Sequence, residues 1–186
     1  PQIPILGIID PAPKAVADSC KDGSRVGIIG TKVTINSGAY KKAIQAHNPK
    51  LEIFETACPA FVPLIEEGII ENDIMDLTIQ YYMDDFIRGN DIDTVVLGCT
   101  HYPWIQKNIE RIYPDLHIIN PSSIIVDTIH EILQKRDMAA EASSFENIFY
   151  ASDLSENFVN MIDSIFEGED EDARVKFLNF DLEQGE

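Results

Sequence analysis

The sequence Ile92-Asp93-Thr94-Val95-Val96-Leu97-Gly98-Cys99-Thr100-His101-Tyr102-Pro103 joins a short apolar run to a glycine, a thiol and a proline. The run from Ile92 to Leu97 is rich in β-branched residues, which predicts a buried strand. Pro103 favours the first turn of a helix, because its fixed φ suits that position. A strand that leads directly into a helix is the repeating unit of α/β folds with a parallel sheet.

The same alternation continues along most of the chain. Further strands are predicted at Ile5 to Ile9, Arg25 to Ile29, Leu51 to Phe54, Leu116 to Ile119, Asn147 to Tyr150 and Val175 to Leu178. Apolar residues spaced three and four apart predict helices at Ala12 to Lys21, Ser37 to His47, Asp73 to Arg88, Pro103 to Tyr113, Ser122 to Lys135 and Glu156 to Phe166. Right-handed crossovers would place these helices on both faces of a mostly parallel sheet. The predicted fold class is therefore doubly wound α/β.

Composition narrows the class of function. The chain has 186 residues, of which 45% are hydrophobic, so it can bury a sizeable core. Its 14 Lys and Arg against 32 Asp and Glu give a formal charge of -18, which opposes binding to nucleic acid or to an anionic membrane surface. The sequence contains neither an apolar run long enough to span a bilayer nor a recognisable signal peptide, so we expect a cytoplasmic protein.

The three cysteines are Cys20, Cys58 and Cys99, an odd number in a chain large enough to fold without covalent cross-links. A disulfide framework is therefore not expected. Cys99 and His101 lie two residues apart with no second Cys or His pair nearby, which is a poor match to zinc-ligand spacing. No metal site is predicted.

Residues that directly follow the strands are the first candidates for a site, because open parallel sheets bind ligands outside the carboxyl ends of their strands. Cys99 occupies such a position, where a following helix would lower its pKa through the helix dipole. His101 could share a proton with that thiol. The alternative is that Cys99 packs as a small buried hydrophobe and that His101 caps a backbone carbonyl.

The other two cysteines have weaker claims to chemistry. Cys58 is followed by Pro59 and by an apolar stretch, which favours a packed turn. Cys20 lies near the predicted end of a helix. We interpret both as structural.

The string Leu97-Gly98-Cys99-Thr100-His101-Tyr102-Pro103 closely resembles the second cysteine signature of the aspartate and glutamate racemase superfamily. Other segments resemble the glutamate racemase family in particular: Gly27 to Thr31 with Thr34, Ser37 to Tyr40, and Ala57 to Pro59 with Phe61 to Glu66. The resemblance runs in order from about residue 4 to about residue 130.

This resemblance implies an isomerase that interconverts L- and D-glutamate, supplies D-glutamate for peptidoglycan, uses no cofactor and binds glutamate. One thiolate would remove the α-proton and a second cysteine would return a proton on the opposite face. The implied catalytic residues are Cys99, His101 as its acid-base partner, and Glu66 as a carboxylate that sets the charge of the site. The implied substrate-binding residues are Thr31, Thr34 and Thr100. A homo-oligomer, most simply a dimer, is also implied.

The sequence departs from the family in lacking the segment that carries the first catalytic cysteine in a Cys-Asn-Thr motif. We therefore expect residues 11–120 to form a complete α/β domain, and residues 1–10 with 121–186 to form part of a second similar domain. The chain by itself is expected to be inactive. A non-catalytic module that binds an acidic small molecule, and an aspartate or hydantoin racemase, remain as alternatives.

Overall fold

The computed structural model describes residues 5–139, 148–151, 156–166 and 174–177. These residues fall into two compact units. The first contains residues 5–65 and 69–139, and the second contains residues 66–68 together with the described residues after 139.

Strands and helices alternate through the first unit. The strands are β1 (Arg25–Gly30), β2 (Glu52–Ala57), β3 (Thr94–Leu97) and β4 (His117–Ile119). The helices are α1 (Pro11–Ser19), α2 (Lys32–Ser37), α3 (Ala39–His47), α4 (Phe61–Glu66), α5 (Asp73–Gly89), a 3-10 helix (Tyr102–Ile105), α6 (Gln106–Ile112) and α7 (Pro121–Lys135).

The four strands of this unit form one parallel sheet in the order β2-β1-β3-β4. Strand β1 is central, so that Val26 pairs with Ile53 of β2 on one side and with Thr94 of β3 on the other. The chain leaves β1 towards β2 and then returns to the opposite side for β3. This reversal creates a topological switch point between β1 and β3.

One face of the sheet is covered by α1, α3 and α7. Side chains of alternate strand residues point to this face, because successive residues of a strand face opposite sides. They form a buried cluster with the helices, in which Ile124 of α7 also packs. The members of the cluster are Ala12, Val16, Val26, Ile28, Tyr40, Ile44, Leu51, Ile53, Val96 and Ile119.

The other face is covered by α5. Its buried residues recur every fourth position, which places them along one side of the helix: Met75, Ile79, Met83 and Ile87. Gly27 of β1 faces this helix, and a Cβ atom there would lie 2.9 Å from both Phe86 and Ile92. Helices on both faces of a parallel sheet confirm the predicted doubly wound α/β class.

The predicted strand from Ile5 to Ile9 is wrong. These residues form loop and bends before α1, and the Ile5 side chain is 95% exposed. The carboxylate of Asp10 accepts the N–H of Gly7, and the Asp10 N–H donates to the Gly7 carbonyl, both at 3.2 Å. An apolar run forms a strand only when a neighbour completes its hydrogen bonds, and this local turn takes the place of such a ladder.

Two predicted helices begin differently in the structure. Gly38 has a φ of +60°, a left-handed conformation that ends α2 and separates it from α3 within the predicted helix Ser37 to His47. The predicted helix from Pro103 begins as the 3-10 helix and continues as α6. The short helices α2 and α4 were not predicted, since six residues carry little periodicity.

In the second unit, β5 (Ile148–Ala151) pairs in parallel with β6 (Arg174–Phe177), and α8 (Glu156–Phe166) lies between them in sequence. Both strands and the helix were predicted. The predicted end residues Asn147 and Leu178 lie outside the described residues. The predicted division into domains at residues 10–11 and 120–121 stays a prediction; α7 packs against α1 within the first unit.

Within the described ranges, no helix is both long enough and apolar enough to cross a bilayer.

Replacing Gly27 by alanine should lower the free energy of unfolding by at least about 1 kcal/mol, because the added methyl overpacks the space beside Phe86 and Ile92. Gly89, the last residue of α5, has open space around its missing Cβ and provides the control. Gly89→Ala should be neutral or stabilising. Urea unfolding of both variants tests this, and equal effects would contradict it.

Asp76 should make stability depend on pH in the acid range. Its carboxylate accepts hydrogen bonds from Arg111 at 2.6 and 2.7 Å and from the buried Asn108 at 2.9 Å, and these interactions hold its pKa below the ordinary 3.8. A lowered folded-state pKa adds stability above the unfolded pKa, and that stability is lost as pH falls through the folded value.

At pH 7, Asp76→Asn should cost up to about 1 kcal/mol, because Arg111, the partner in the ion pair, is 61% exposed and solvent weakens the attraction. The difference from the wild type should shrink as the pH falls below 3.8. Unfolding curves at several pH values measure this. A constant difference between pH 7 and pH 2 would show that the charge of Asp76 is not the cause.

Candidate active site

A cavity of about 210 Å³ opens where the chain leaves the carboxyl ends of β1, β3 and β4. Its position is the switch point between β1 and β3, where open parallel sheets form their binding crevices. The lining residues are Ile8, Ile9, Thr34, Tyr40, Leu97, Gly98, Cys99, Thr100, Pro121 and Ser122.

Gly98 brings the end of β3 close to β1. Its N–H donates to the carbonyl of Ile29 at 2.8 Å, which extends the ladder by one residue. A Cβ atom on Gly98 would lie 2.7 Å from that same carbonyl oxygen, closer than side chains approach. Only glycine fits here, and its close approach sets the position of Cys99 at the cavity.

The structure places the side chains of Cys99 and His101 next to each other. The Cys99 thiol is half-buried, and its Sγ lies 4.0 Å from Nδ1 of His101, a long hydrogen bond to sulfur in which either atom can donate. The turn is closed by the Tyr102 N–H, which donates to the Cys99 carbonyl at 3.1 Å. A proton can therefore pass between the thiol and the imidazole.

The expected helix dipole at Cys99 is smaller than the sequence suggested. The chain continues from Cys99 into a 3-10 helix of four residues, and the α-helical turns of α6 start only at Gln106. The dipole sums over aligned peptide units, so a short 3-10 segment contributes less than a long α-helix. The imidazole of His101 is closer to the Cys99 thiol than the start of α6 is, with Nδ1 at 4.0 Å from Sγ.

Two of the three predicted substrate-binding threonines line the cavity, namely Thr34 and Thr100. Thr31 supports the first of them from the start of α2. Its hydroxyl accepts the N–H of Thr34 at 3.3 Å, and the two hydroxyl oxygens lie 3.0 Å apart. Thr31 therefore acts as the N-cap of α2 and orients Thr34.

Glu66 is the last residue of α4 and is exposed. Its predicted role in setting the charge of the site stays a prediction.

The other two cysteines lie in different surroundings. Cys58 is fully buried, and burial raises the pKa of its thiol to about 12. Its backbone N–H donates to Gly30 and its carbonyl accepts the Tyr102 hydroxyl, at 2.9 and 3.1 Å. Cys20 follows α1, with its thiol 3.8 Å from the hydroxyl of Thr94, at the amino end of β3. Of the three thiols, only that of Cys99 lines the cavity.

Tyr40 and Ser122 line the cavity but were not predicted as residues of the site. Ser122 was detectable in principle, since it closely follows β4 just as Thr34 follows β1. Tyr40 lies on α3 and enters the site only through packing. Burial first, and then the neighbouring Cys99, raise the pKa of Tyr40 to about 12, so its hydroxyl stays protonated at neutral pH.

No group of three or more His, Cys, Asp or Glu side chains that could hold a metal ion occurs among the described residues.

Comparison with known proteins places these features in a family. Residues 1–129 match the family described as Asp/Glu/Hydantoin racemase. The glutamate racemase of Persephonella marina is 37% identical over 163 residues, which cover 88% of this chain and 60% of the relative. That of Sulfurihydrogenibium sp. is 40% identical over 130 residues, or 70% of this chain and 49% of the relative. The chain thus spans about half to three fifths of these relatives.

Solved structures of glutamate racemases are also similar to this chain. The glutamate racemase of Francisella tularensis, crystallised in complex with D-glutamate, superposes with a TM-score of 0.81 at 28% identity, covering 94% of this chain and 63% of that one. The glutamate racemase from Aquifex pyrophilus gives a TM-score of 0.66 at 31% identity, covering 94% and 64%. The resemblance inferred from the cysteine signature is confirmed. The family match covers residues 1–129 of the 186 residues, which is more than half of the chain. This chain therefore belongs to the Asp/Glu/Hydantoin racemase family.

Proposed function

We propose that this protein interconverts L- and D-glutamate by proton transfer at Cα, with Cys99 as one of two bases. The observation that carries the proposal is the Cys99 thiol, which lines the switch-point cavity with His101 Nδ1 at 4.0 Å. Relatives support glutamate as the substrate, since the two compared above are named glutamate racemases and the one from Francisella tularensis was crystallised with D-glutamate.

The first proton transfer uses one face of the substrate. The Cys99 thiolate takes the α-proton and forms an S–H bond. The electron pair of the broken C–H bond is delocalised over Cα and the α-carboxylate, which makes Cα planar. His101 can accept the thiol proton or return it, and so resets Cys99 for the next turnover.

Inversion needs a second proton donor, because a single base would mostly return the proton to the face it left. Cys58 does not fit this role, since it is fully buried and its pKa is raised to about 12. Cys20 does not fit either, because it lies near Thr94 at the amino end of β3. We therefore propose that the second base is a cysteine other than Cys20, Cys58 and Cys99. The 186 residues by themselves should then fail to complete inversion.

The substrate is held by neutral groups. Thr34 and Thr100 offer hydroxyls to it from two sides of the switch point, and Thr31 keeps Thr34 in place. Glu66, assigned from the family resemblance, would help to set the charge of the site. In the cell, this activity would supply D-glutamate for peptidoglycan. We further propose a cytoplasmic, homo-oligomeric enzyme.

Cys99→Ala in the natural protein should lower racemisation by at least about three orders of magnitude, because nothing else on that face replaces the lost base. Glutamate should still bind. In deuterated water, the remaining base should exchange the α-proton of one enantiomer without inverting it. Chiral chromatography and proton NMR measure the two outcomes.

Cys58→Ala provides the matched thiol control. It should cost about 1 kcal/mol of stability, as for a small buried side chain, and should leave turnover nearly unchanged. Loss of racemisation in Cys58→Ala with retention in Cys99→Ala would overturn the assignment of the thiol.

The natural protein should racemise glutamate after dialysis against a chelator and without pyridoxal phosphate, because proton transfer between thiols and Cα requires neither. Glutamate should be turned over in preference to aspartate. Assays with both amino acids, before and after dialysis, test the two statements. Activity that vanished on dialysis and returned with a cofactor would contradict the first, and preference for aspartate would contradict the second.

A further inference from the structure

Tyr40 is an unusual member of the core. Its side chain is only 4% exposed and packs in the buried cluster on the α1, α3 and α7 face of the sheet. The same side chain also lines the switch-point cavity. Its ring lies against the end of β3, since a Cβ atom on Gly98 would be 3.5 Å from Cε2 of Tyr40. Tyr40 therefore reaches from the core to the residue that precedes Cys99.

The hydroxyl of Tyr40 has no hydrogen-bond partner among the groups that the structure describes. Buried tyrosine hydroxyls normally have one, because an unmet polar group in a core costs free energy. Every fully buried side-chain oxygen or nitrogen of the described residues does have a partner, so the Tyr40 hydroxyl is not sealed in the core. The hydroxyl is open to the cavity, where a bound ligand can form the missing hydrogen bond with it.

Phenylalanine would fill the same space in the core without this polar group. The hydroxyl of Tyr113, by comparison, donates to the carboxylate of Asp84 at 2.7 Å and has a structural role. No such role is evident for the hydroxyl of Tyr40. Its ring belongs to the core and its hydroxyl belongs to the cavity.

The geometry points to Tyr40 as a further substrate-binding residue, whose hydroxyl donates a hydrogen bond to the α-carboxylate of the amino acid. This inference rests on the proposed racemisation, because it places the substrate in the switch-point cavity with Cα at Cys99. The α-carboxylate is bonded directly to Cα, so it must lie near the thiol. Tyr40 meets this requirement through its packing on Gly98 and its electrostatic interaction with Cys99.

Such a donor should contribute more to the reaction than to binding. Removal of the α-proton transfers negative charge into the carboxylate, so a hydrogen bond to that group becomes stronger as the transition state is approached. The donor must be neutral to act in this way. Burial and the proximity of Cys99 raise the pKa of Tyr40 to about 12, which keeps its proton in place over the working range of the enzyme.

The test is the Tyr40→Phe variant of the natural protein. This substitution keeps the ring and removes only the hydroxyl. The value of kcat for glutamate should fall about 100-fold, in the range seen when one such donor is removed. The affinity for D-glutamate, measured by calorimetry, should fall by about ten-fold or less. The midpoint of thermal unfolding should stay the same, because no protein partner of the hydroxyl is lost.

Tyr113→Phe is the matched control, since it removes a tyrosine hydroxyl that is bonded to Asp84 on α5. It should leave kcat and glutamate affinity unchanged. Unchanged kcat and affinity in Tyr40→Phe, beside an active wild type, would overturn the role of Tyr40 alone. A lower unfolding midpoint with unchanged affinity would also overturn it, because the hydroxyl would then be structural. A wild type that neither binds nor racemises glutamate would overturn both this inference and the proposed function.

Discussion

The parallel pairing of β1 with β3, extended by the Gly98 N–H to the Ile29 carbonyl at 2.8 Å, is the constraint on which the site depends. Without a side chain, Gly98 can approach that carbonyl, and this approach puts Cys99 at the switch point. The same pairing sets β1 and β3 side by side in the middle of the sheet, where helices cover both faces. Fold and site thus share one close contact between two backbones.

The site around this contact combines uncharged donors with one thiol. None of the residues lining the cavity is Lys, Arg, Asp or Glu, and hydroxyls come from Thr34, Tyr40, Thr100 and Ser122. An amino acid bound there would be held by dipoles, which cost little reorganisation when charge develops during proton transfer. The strongly acidic composition of the chain makes such a neutral lining important, because further carboxylates at the cavity would repel an anionic substrate.

The chain's three thiols show how position in the fold changes the chemistry of one residue type. Cys58 packs in the core with a raised pKa, Cys20 follows a helix at the amino end of the sheet, and Cys99 opens on the cavity beside His101. The sequence singled out Cys99 as the candidate because strand ends are recognisable from local pattern. It overestimated the helix dipole at Cys99, since a 3-10 turn and an α-helix share the same proline signal.

The sequence by itself determined the alternation of strands and helices and the positions of Thr34, Cys99 and Thr100 just after strands, since these depend on local periodicity and on where apolar runs stop. It failed at Ile5 to Ile9, because a strand also needs a partner to complete its backbone hydrogen bonds. Only the tertiary structure decided the strand order β2-β1-β3-β4 and the entry of Tyr40 into the cavity. Both result from packing between residues far apart in the chain, which no local pattern records.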